Sequence, residues 1–327
     1  VRRVGITGAS GFLGAAVLRH LAARGDCFVR ALTRSSPPAG APRGPTITWQ
    51  QGDLTSPSDC QDFVDGLDAI LHFAHTNTPL TSDRHLPSDA RLSLLPTLNL
   101  LEALRQRGGR AQLLYASSGG AVYGRRAGGG APFREDDPCS PASSYGIQKL
   151  AAEHYVRLAT ERGWVQGSCL RIGNPYGVLL PPERRQGLIG VLLAELVRGR
   201  PVTLFGDPQN VRDYVHLSDL CALLDVLLAR AAAGFEVWNV GSGVGHSVRE
   251  VVSLLERLHG RRVEVQTNSS IVGAGDLPSW VVLDVTKSAQ ALGWRPSVSL
   301  EEGLARLYRQ AFGCSRGASR RLTIPLG

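Results

Sequence analysis

The stretch GITGASGFLG, residues 5–14, decides the fold. Together with the residues before it, RRVGITG reads as a short strand, and FLGAAVLRHLAARG after it reads as a helix. Between them stand Gly8, Gly11 and Gly14. The first permits a tight bend, the second lets backbone approach a pyrophosphate, and the third lets helix pack on strand while the helix N-terminus faces the anion. A glycine triplet alone is a weak signal. A strand before it and a helix after it point to a dinucleotide site rather than a plain tight turn.

Outward from that turn the same alternation continues. CFVRALTR, DAILHFA, AQLLYASS and VQGSCLRI read as strands, while LLPTLNLLEALRQRG and the segment from about Tyr145 to Arg162 read as helices. Strands alternating with helices predict an α/β fold, a doubly wound parallel sheet of the Rossmann type. After Asn174 the pattern loosens into a Pro-rich loop, a helix at GLIGVLLAELVRG and short mixed elements. The division expected is a dinucleotide-binding domain over 1–174, rejoined by segments near 208–240 and 281–286, with residues 175–327 forming mainly a smaller substrate-binding lobe.

Composition narrows the function classes. Of the 327 residues, 43% are hydrophobic and 20% charged, as in an ordinary soluble domain. No apolar run reaches the ~18 residues of a membrane span, so a cytoplasmic protein without a membrane partner is expected. Cys27, Cys60, Cys139, Cys169, Cys221 and Cys314 lie far apart without CxxC or Cys/His spacing, which suggests neither a metal site nor a disulfide framework. The formal charge of +8 is spread along the chain without aromatic interleaving, except at SRGASRR (315–321), so nucleic acid is not the expected partner. A positive field does favour an anionic small molecule entering a cleft.

In SSYGIQK, residues 143–149, Tyr145 and Lys149 are four apart on a predicted helix and share a face. A phenol ionises near ~10, too high for proton exchange at neutral pH, and a nearby ammonium stabilises the phenolate. Tyr145 could then exchange a proton with a carbinol oxygen.

With the glycine turn, this pair makes the chain resemble the extended short-chain dehydrogenase/reductases that act as sugar-nucleotide epimerases, dehydratases and ketoreductases. YASSGGAVYG, LRIGNPYG, QNVRDYVHLSDL, WNVGSGVGHSVREVV and LDVTKSAQALGWRPSVSLEEGL carry the resemblance over nearly the whole length. It implies a serine beside Tyr145, with Ser118 favoured over Ser117. It also implies cofactor contacts from Phe12, Leu13, Asp53, Leu54, Phe73, Ala74 and Lys149. A nucleotide-diphosphate sugar would meet Asn174, Gln186, Leu188 and Arg212, although Arg212 could instead pair with Asp213 or Asp219. Two departures stand out: Gly273 occupies the place of a second diphosphate-binding Arg, leaving Arg184 or Arg185 to compensate, and Ser93 replaces an Asn. His75 could contact cofactor or sugar, or simply wall the cleft. By analogy with many relatives, a homodimer packs the helices near 91–107 and 145–162 across a two-fold axis.

The second strand ends in ALTRSS, residues 31–36. In NAD-preferring relatives an acidic residue there accepts bonds from the ribose hydroxyls. Here Thr33 stands in its place, followed by Arg34, a better cradle for a 2′-phosphate than for bare ribose. NADP(H) is therefore favoured, with NAD(H) the alternative. A net reductase draws on NADPH and exchanges it each turnover, whereas a 4-epimerase keeps NAD bound. The expected function is reduction of a nucleotide-linked 4-keto sugar, with NAD-dependent 4-epimerisation the alternative. Dehydratases carry Asp-Glu after the active-site Thr, and Gly119 and Gly120 follow Ser118 here. An idle dinucleotide-binding regulator is a different class, against which Tyr145 and Lys149 speak.

Overall fold

The computed structural model describes residues 1–77, 82–126, 130–179, 187–230, 234–268 and 278–318. Its first half runs β1 (Arg2–Thr7), α1 (Phe12–Arg24), β2 (Cys27–Thr33), β3 (Ile47–Gln51), α2 (Pro57–Val64), β4 (Ala69–His72), α3 (Leu86–Asp89), α4 (Leu95–Arg107), β5 (Gln112–Ser118), α5 (Gly119–Val122), α6 (Ser144–Glu161) and β6 (Gln166–Ile172). There follow β7 (Asn174–Tyr176), α7 (Leu188–Val197), β8 (Val202–Phe205), β9 (Val211–His216), α8 (Leu217–Ala229), β10 (Glu236–Val240), β11 (Gly245–Ser247), α9 (Val248–His259), β12 (Val265–Asn268), β13 (Trp280–Val281), α10 (Thr286–Leu292) and α11 (Leu300–Ala318).

Seven strands form one parallel sheet in the order β10-β6-β5-β4-β1-β2-β3, a Rossmann-type α/β fold. Strand side chains alternate between faces, and each face acquires its own core. Val4 and Ile6 of β1 pack with Val17, Leu18 and Leu21 of α1 and with Leu220 and Leu224 of α8. The opposite face joins Ile70, Leu113 and Tyr115 to Phe63, Leu100, Leu104 and Val156 of α2, α4 and α6. The strand order reverses between β1 and β4, which opens a crevice at their carboxyl ends, where dinucleotides bind in such sheets.

A smaller sheet holds β11, β9 and β13, with β7 pairing to β9. It packs beside a separate core in which Tyr176 and Tyr214 meet Leu192, Val251 and Leu304. The chain returns to the large sheet through α8 and β10, while β9 belongs to the smaller one. No helix of the described residues is long and apolar enough to cross a membrane.

Three local differences from the sequence reading have physical causes. The helix expected from 91 becomes regular only at Leu95, because residues Ala90–Leu94 form a wider π turn. ITWQQ forms the edge strand β3, whose half-exposed pattern carries little periodic signal. PSDCQDFV forms α2, begun by Ser56, whose side chain accepts from the Asp59 N–H, with proline in the first turn.

Candidate functional site

A cleft of about 730 Å³ runs from the carboxyl ends of β1, β2 and β4 to the smaller sheet. Its floor is the glycine turn. Gly8 has φ of 65°, and a Cβ there would lie 2.8 Å from the Ala74 backbone nitrogen, so neither conformation nor space admits a side chain. A Cβ on Gly14 would strike the Gly8 carbonyl, and the Gly11 N–H donates to that same carbonyl at 2.8 Å. The bend is thus held shut by its own backbone, with Phe12, Leu13 and the start of α1 facing the cleft.

The neighbouring strand tip is pinned from behind. Thr7 Oγ1 bonds His72 Nδ1 at 2.6 Å and accepts from the Ala74 N–H at 3.1 Å, while His72 Nε2 bonds Thr97 Oγ1 at 3.0 Å. Burial lowers the His72 pKa to about 3, so the ring stays neutral and works as a two-ended brace. Phe73 and Ala74 are thereby placed on the cleft wall. Sequence reading did not single out this brace, since each member is an ordinary strand or helix residue.

At the end of β2, Thr33 is buried and Arg34 exposed, and both line the cleft. Thr33 Oγ1 accepts from the Ser35 N–H at 3.4 Å, and Gln51 donates to the Arg34 carbonyl. Among the described residues no carboxylate pairs with the Arg34 guanidinium. Asp53 Oδ1 accepts from the N–H and hydroxyl of Thr55, which fixes the turn that brings Asp53 and Leu54 to the cleft edge.

Tyr145 and Lys149 enter from α6, capped by Ser143, whose side chain accepts from the Gly146 N–H. Lys149 Nζ donates to the Ala116 carbonyl at 2.6 Å and lies 5.8 Å from the centre of the Tyr145 ring. Burial raises the Tyr145 pKa, and its hydrogen bond with Ser118 pulls the other way. Burial lowers Lys149 to about 7, while the Glu153 carboxylate raises it. The two candidate serines diverge, although both line the cleft: Ser118 hydrogen-bonds Tyr145 and lowers its pKa, whereas Ser117 donates to Glu153 Oε1 at 2.5 Å. Glu153 also receives Arg171 on both oxygens, an ion pair of 2.8 Å buried at 7% and 4% side-chain exposure. Lys149 and Glu153 are four apart on α6, the one signal by which sequence could have flagged this support.

Across the cleft, Asn174 and Leu188 lie on the lining, at the start of β7 and of α7. Arg212 also lines it, donating to the Val211 carbonyl at 2.8 Å. Burial lowers its pKa and the nearby Tyr214 raises it, yet among the described residues it has no carboxylate partner. Asp213 and Asp219 are committed elsewhere. Asp213 accepts from the Ser242, Gly243 and Leu283 N–H groups, and Asp219 from those of Ser297 and Val298. Arg212 is therefore a largely desolvated cation facing a cleft, an arrangement suited to an anion. Gln186, Arg184, Arg185 and Gly273 lie outside the described residues, while Ser93 is buried behind the cleft wall. Among the described residues no group of three or more His, Cys, Asp or Glu could hold a metal ion.

The arrangement joins a glycine turn that leaves its backbone open to the cleft, a phenol able to pass a proton to an oxygen, and a cation with no carboxylate partner among the described residues. The pattern of the NAD dependent epimerase/dehydratase family matches residues 4–241. The dTDP-4-dehydro-6-deoxyglucose reductase of Escherichia coli is 26% identical, covering 93% of this chain and 96% of its own. The dTDP-6-deoxy-L-talose 4-dehydrogenase (NAD(P)(+)) of Kitasatospora kifunensis is 32% identical over 94% of each. The UDP-glucose 4-epimerase of Thermus thermophilus, solved in complex with NAD, superposes with a TM-score of 0.83 at 31% identity, covering 95% of this chain and 99% of that one.

Proposed function

The chain belongs to the NAD-dependent epimerase/dehydratase family, within the extended short-chain dehydrogenase/reductases, and we propose that it is an NADPH-dependent reductase of a nucleotide-linked 4-keto-6-deoxyhexose. One observation carries this reading: Arg34, which has no carboxylate partner among the described residues, follows Thr33 at the cleft end of β2. A 2′-phosphate suits that pair, and a bare ribose would want the carboxylate they replace. The relatives from Escherichia coli and Kitasatospora kifunensis, named for oxidoreduction at C4 of dTDP-linked deoxysugars, support the same direction.

The glycine cradle, Phe73, Ala74 and Asp53 would hold the dinucleotide, with Lys149 reaching its ribose. A nicotinamide bound there supplies hydride to the substrate carbon. Tyr145 gives its proton to the oxygen of the C4 carbonyl, and Ser118 donates to that oxygen as negative charge grows on it. Lys149 holds positive charge near the phenol, which eases proton loss. Asn174, Leu188 and Arg212 orient the nucleotide diphosphate, so the lobe after 174 forms the sugar-nucleotide half of the cleft. Gln186 belongs to this set by resemblance.

A dehydratase needs an acid and a base after Ser118. A Cβ on Gly119 would lie 2.7 Å from the Leu283 side chain and 3.1 Å from the Arg171 carbonyl, so both neighbours would have to shift before a carboxylate side chain could stand there. NAD-dependent 4-epimerisation is the second reading, favoured by the likeness to the Thermus thermophilus epimerase. The homodimer is part of the proposal. Leu95 on α4 and Ile147, Tyr155 and Leu158 on α6 are exposed apolar residues at 38–55%, and a monomer by light scattering at micromolar concentration would remove that part.

The test follows absorbance at 340 nm with a nucleotide-linked 4-keto-6-deoxyhexose. The reductase consumes NADPH mole for mole. No consumption with any 4-keto sugar nucleotide, together with UDP-glucose to UDP-galactose interconversion without added cofactor, would hand the assignment to the epimerase.

A further inference from the structure

His75 follows the braced tip of β4 and lines the cleft. Its ring meets the Tyr145 ring edge to face, with centroids 4.9 Å apart and planes at 86°. The Nε2 atom is buried and has no hydrogen-bond partner among the described residues. Buried polar groups in native proteins are nearly always satisfied, and one left over beside a catalytic candidate calls for a partner that arrives later. Burial, and then the positive charge of Lys149, hold the imidazole pKa well below its usual range. The ring is therefore neutral, with one nitrogen donating and the other accepting.

Resting on the proposed reduction, we propose that His75 is a specificity-determining residue that hydrogen-bonds the hydroxyl on C3 of the hexose, next to the carbon that reacts. The choice of hydroxyl follows from the substrate class. In a 4-keto-6-deoxyhexose, C5 carries the ring oxygen and the C6 methyl group, so C3 holds the one hydroxyl adjacent to C4. Vicinal oxygens on a six-membered ring stand within hydrogen-bond distance of one another. An imidazole packed against the phenol that receives O4 is thus placed to reach O3. A hydroxyl both donates and accepts, so it satisfies either tautomer.

A purely structural role is the rival: the edge-to-face contact alone would stiffen Tyr145. The test is calorimetric binding of the 4-keto-6-deoxy sugar nucleotide and its 3-deoxy counterpart to the protein loaded with NADP⁺, so that no turnover intervenes. Wild type should bind the 3-deoxy sugar about tenfold to hundredfold more weakly, the effect of leaving a buried polar atom unpaired. His75→Phe keeps a ring against Tyr145 and removes both nitrogens. It should lose that same factor for the 3-hydroxy sugar and nothing further for the 3-deoxy one, with nucleoside diphosphate and NADPH affinities unchanged. His75→Gln should recover part of the loss. Equal wild-type affinity for the two sugars, or an equal loss for both in His75→Phe, would overturn the inference, and the first of these needs no variant to fold. A wild-type protein that binds no sugar nucleotide would sink the proposed function, and this inference with it.

Discussion

The ammonium of Lys149 lies 5.8 Å from the centre of the Tyr145 ring. One helical turn separates the two residues on α6, and the Ala116 carbonyl on β5 anchors the lysine. The proposed proton transfer thus rests on a contact between a helix and the sheet end it packs against.

Tyr145→Phe removes the proposed proton donor and keeps the ring. Turnover should fall by roughly 10²-fold or more, the usual contribution of a positioned acid, while NADPH affinity by fluorescence titration stays within a few-fold. Turnover close to wild type would mean that the proton comes from elsewhere.

The proposed reduction needs a proton on Tyr145 and a charge on Lys149. Because burial lowers Lys149 to about 7, kcat/KM in the reductive direction should fall as pH rises through that value. The Glu153 carboxylate raises the lysine, so Glu153→Gln should move this limb to lower pH. The same change strands Arg171 in the interior, and breaking such a buried pair costs about 3–5 kcal/mol. An unmoved or alkaline-shifted limb in a folded variant would show that Glu153 does not act on Lys149.

Arg34→Ala should erase most of a tenfold to hundredfold preference for NADPH over NADH, since a charge-assisted hydrogen bond contributes about 1.5–3 kcal/mol. Equal dissociation constants for the two cofactors in the unaltered protein would contradict the role given to this residue.

Arg212→Met should separate stability from binding. A largely buried cation with no carboxylate partner among the described residues costs desolvation, so the variant's Tm without ligand should equal or exceed that of wild type. Its affinity for the nucleotide sugar should drop by about tenfold or more. A lower Tm with unchanged affinity would make Arg212 a structural residue.

The fold was legible wherever one short segment carried the whole signal. The turn from Gly8 to Gly14 is local, and its strain and close contacts demand glycine at positions that sequence displays directly. Tyr145 and Lys149 were legible for the same reason, being one turn apart. What supports them comes from distant segments. Thr7, His72 and Thr97 meet only after β1, β4 and α4 pack, and Glu153 finds Ser117 and Arg171 across two strands. Which serine faces Tyr145 was likewise a matter of strand register, because adjacent residues on β5 point to opposite sides. Chain order alone left open a pairing of Arg212 with Asp213 or Asp219 in place of a cleft anion, and backbone N–H groups from three other segments claimed both carboxylates.

The most direct measurement uses NADPH carrying deuterium at C4 of the nicotinamide, on the transferred face, mixed with a nucleotide-linked 4-keto-6-deoxyhexose and the unaltered protein. Product NMR should show one deuterium at C4 of a 4-hydroxy sugar, with NADP⁺ formed in equal amount. A protein that carries tightly bound NAD, leaves the labelled cofactor untouched and interconverts UDP-glucose with UDP-galactose would contradict the account.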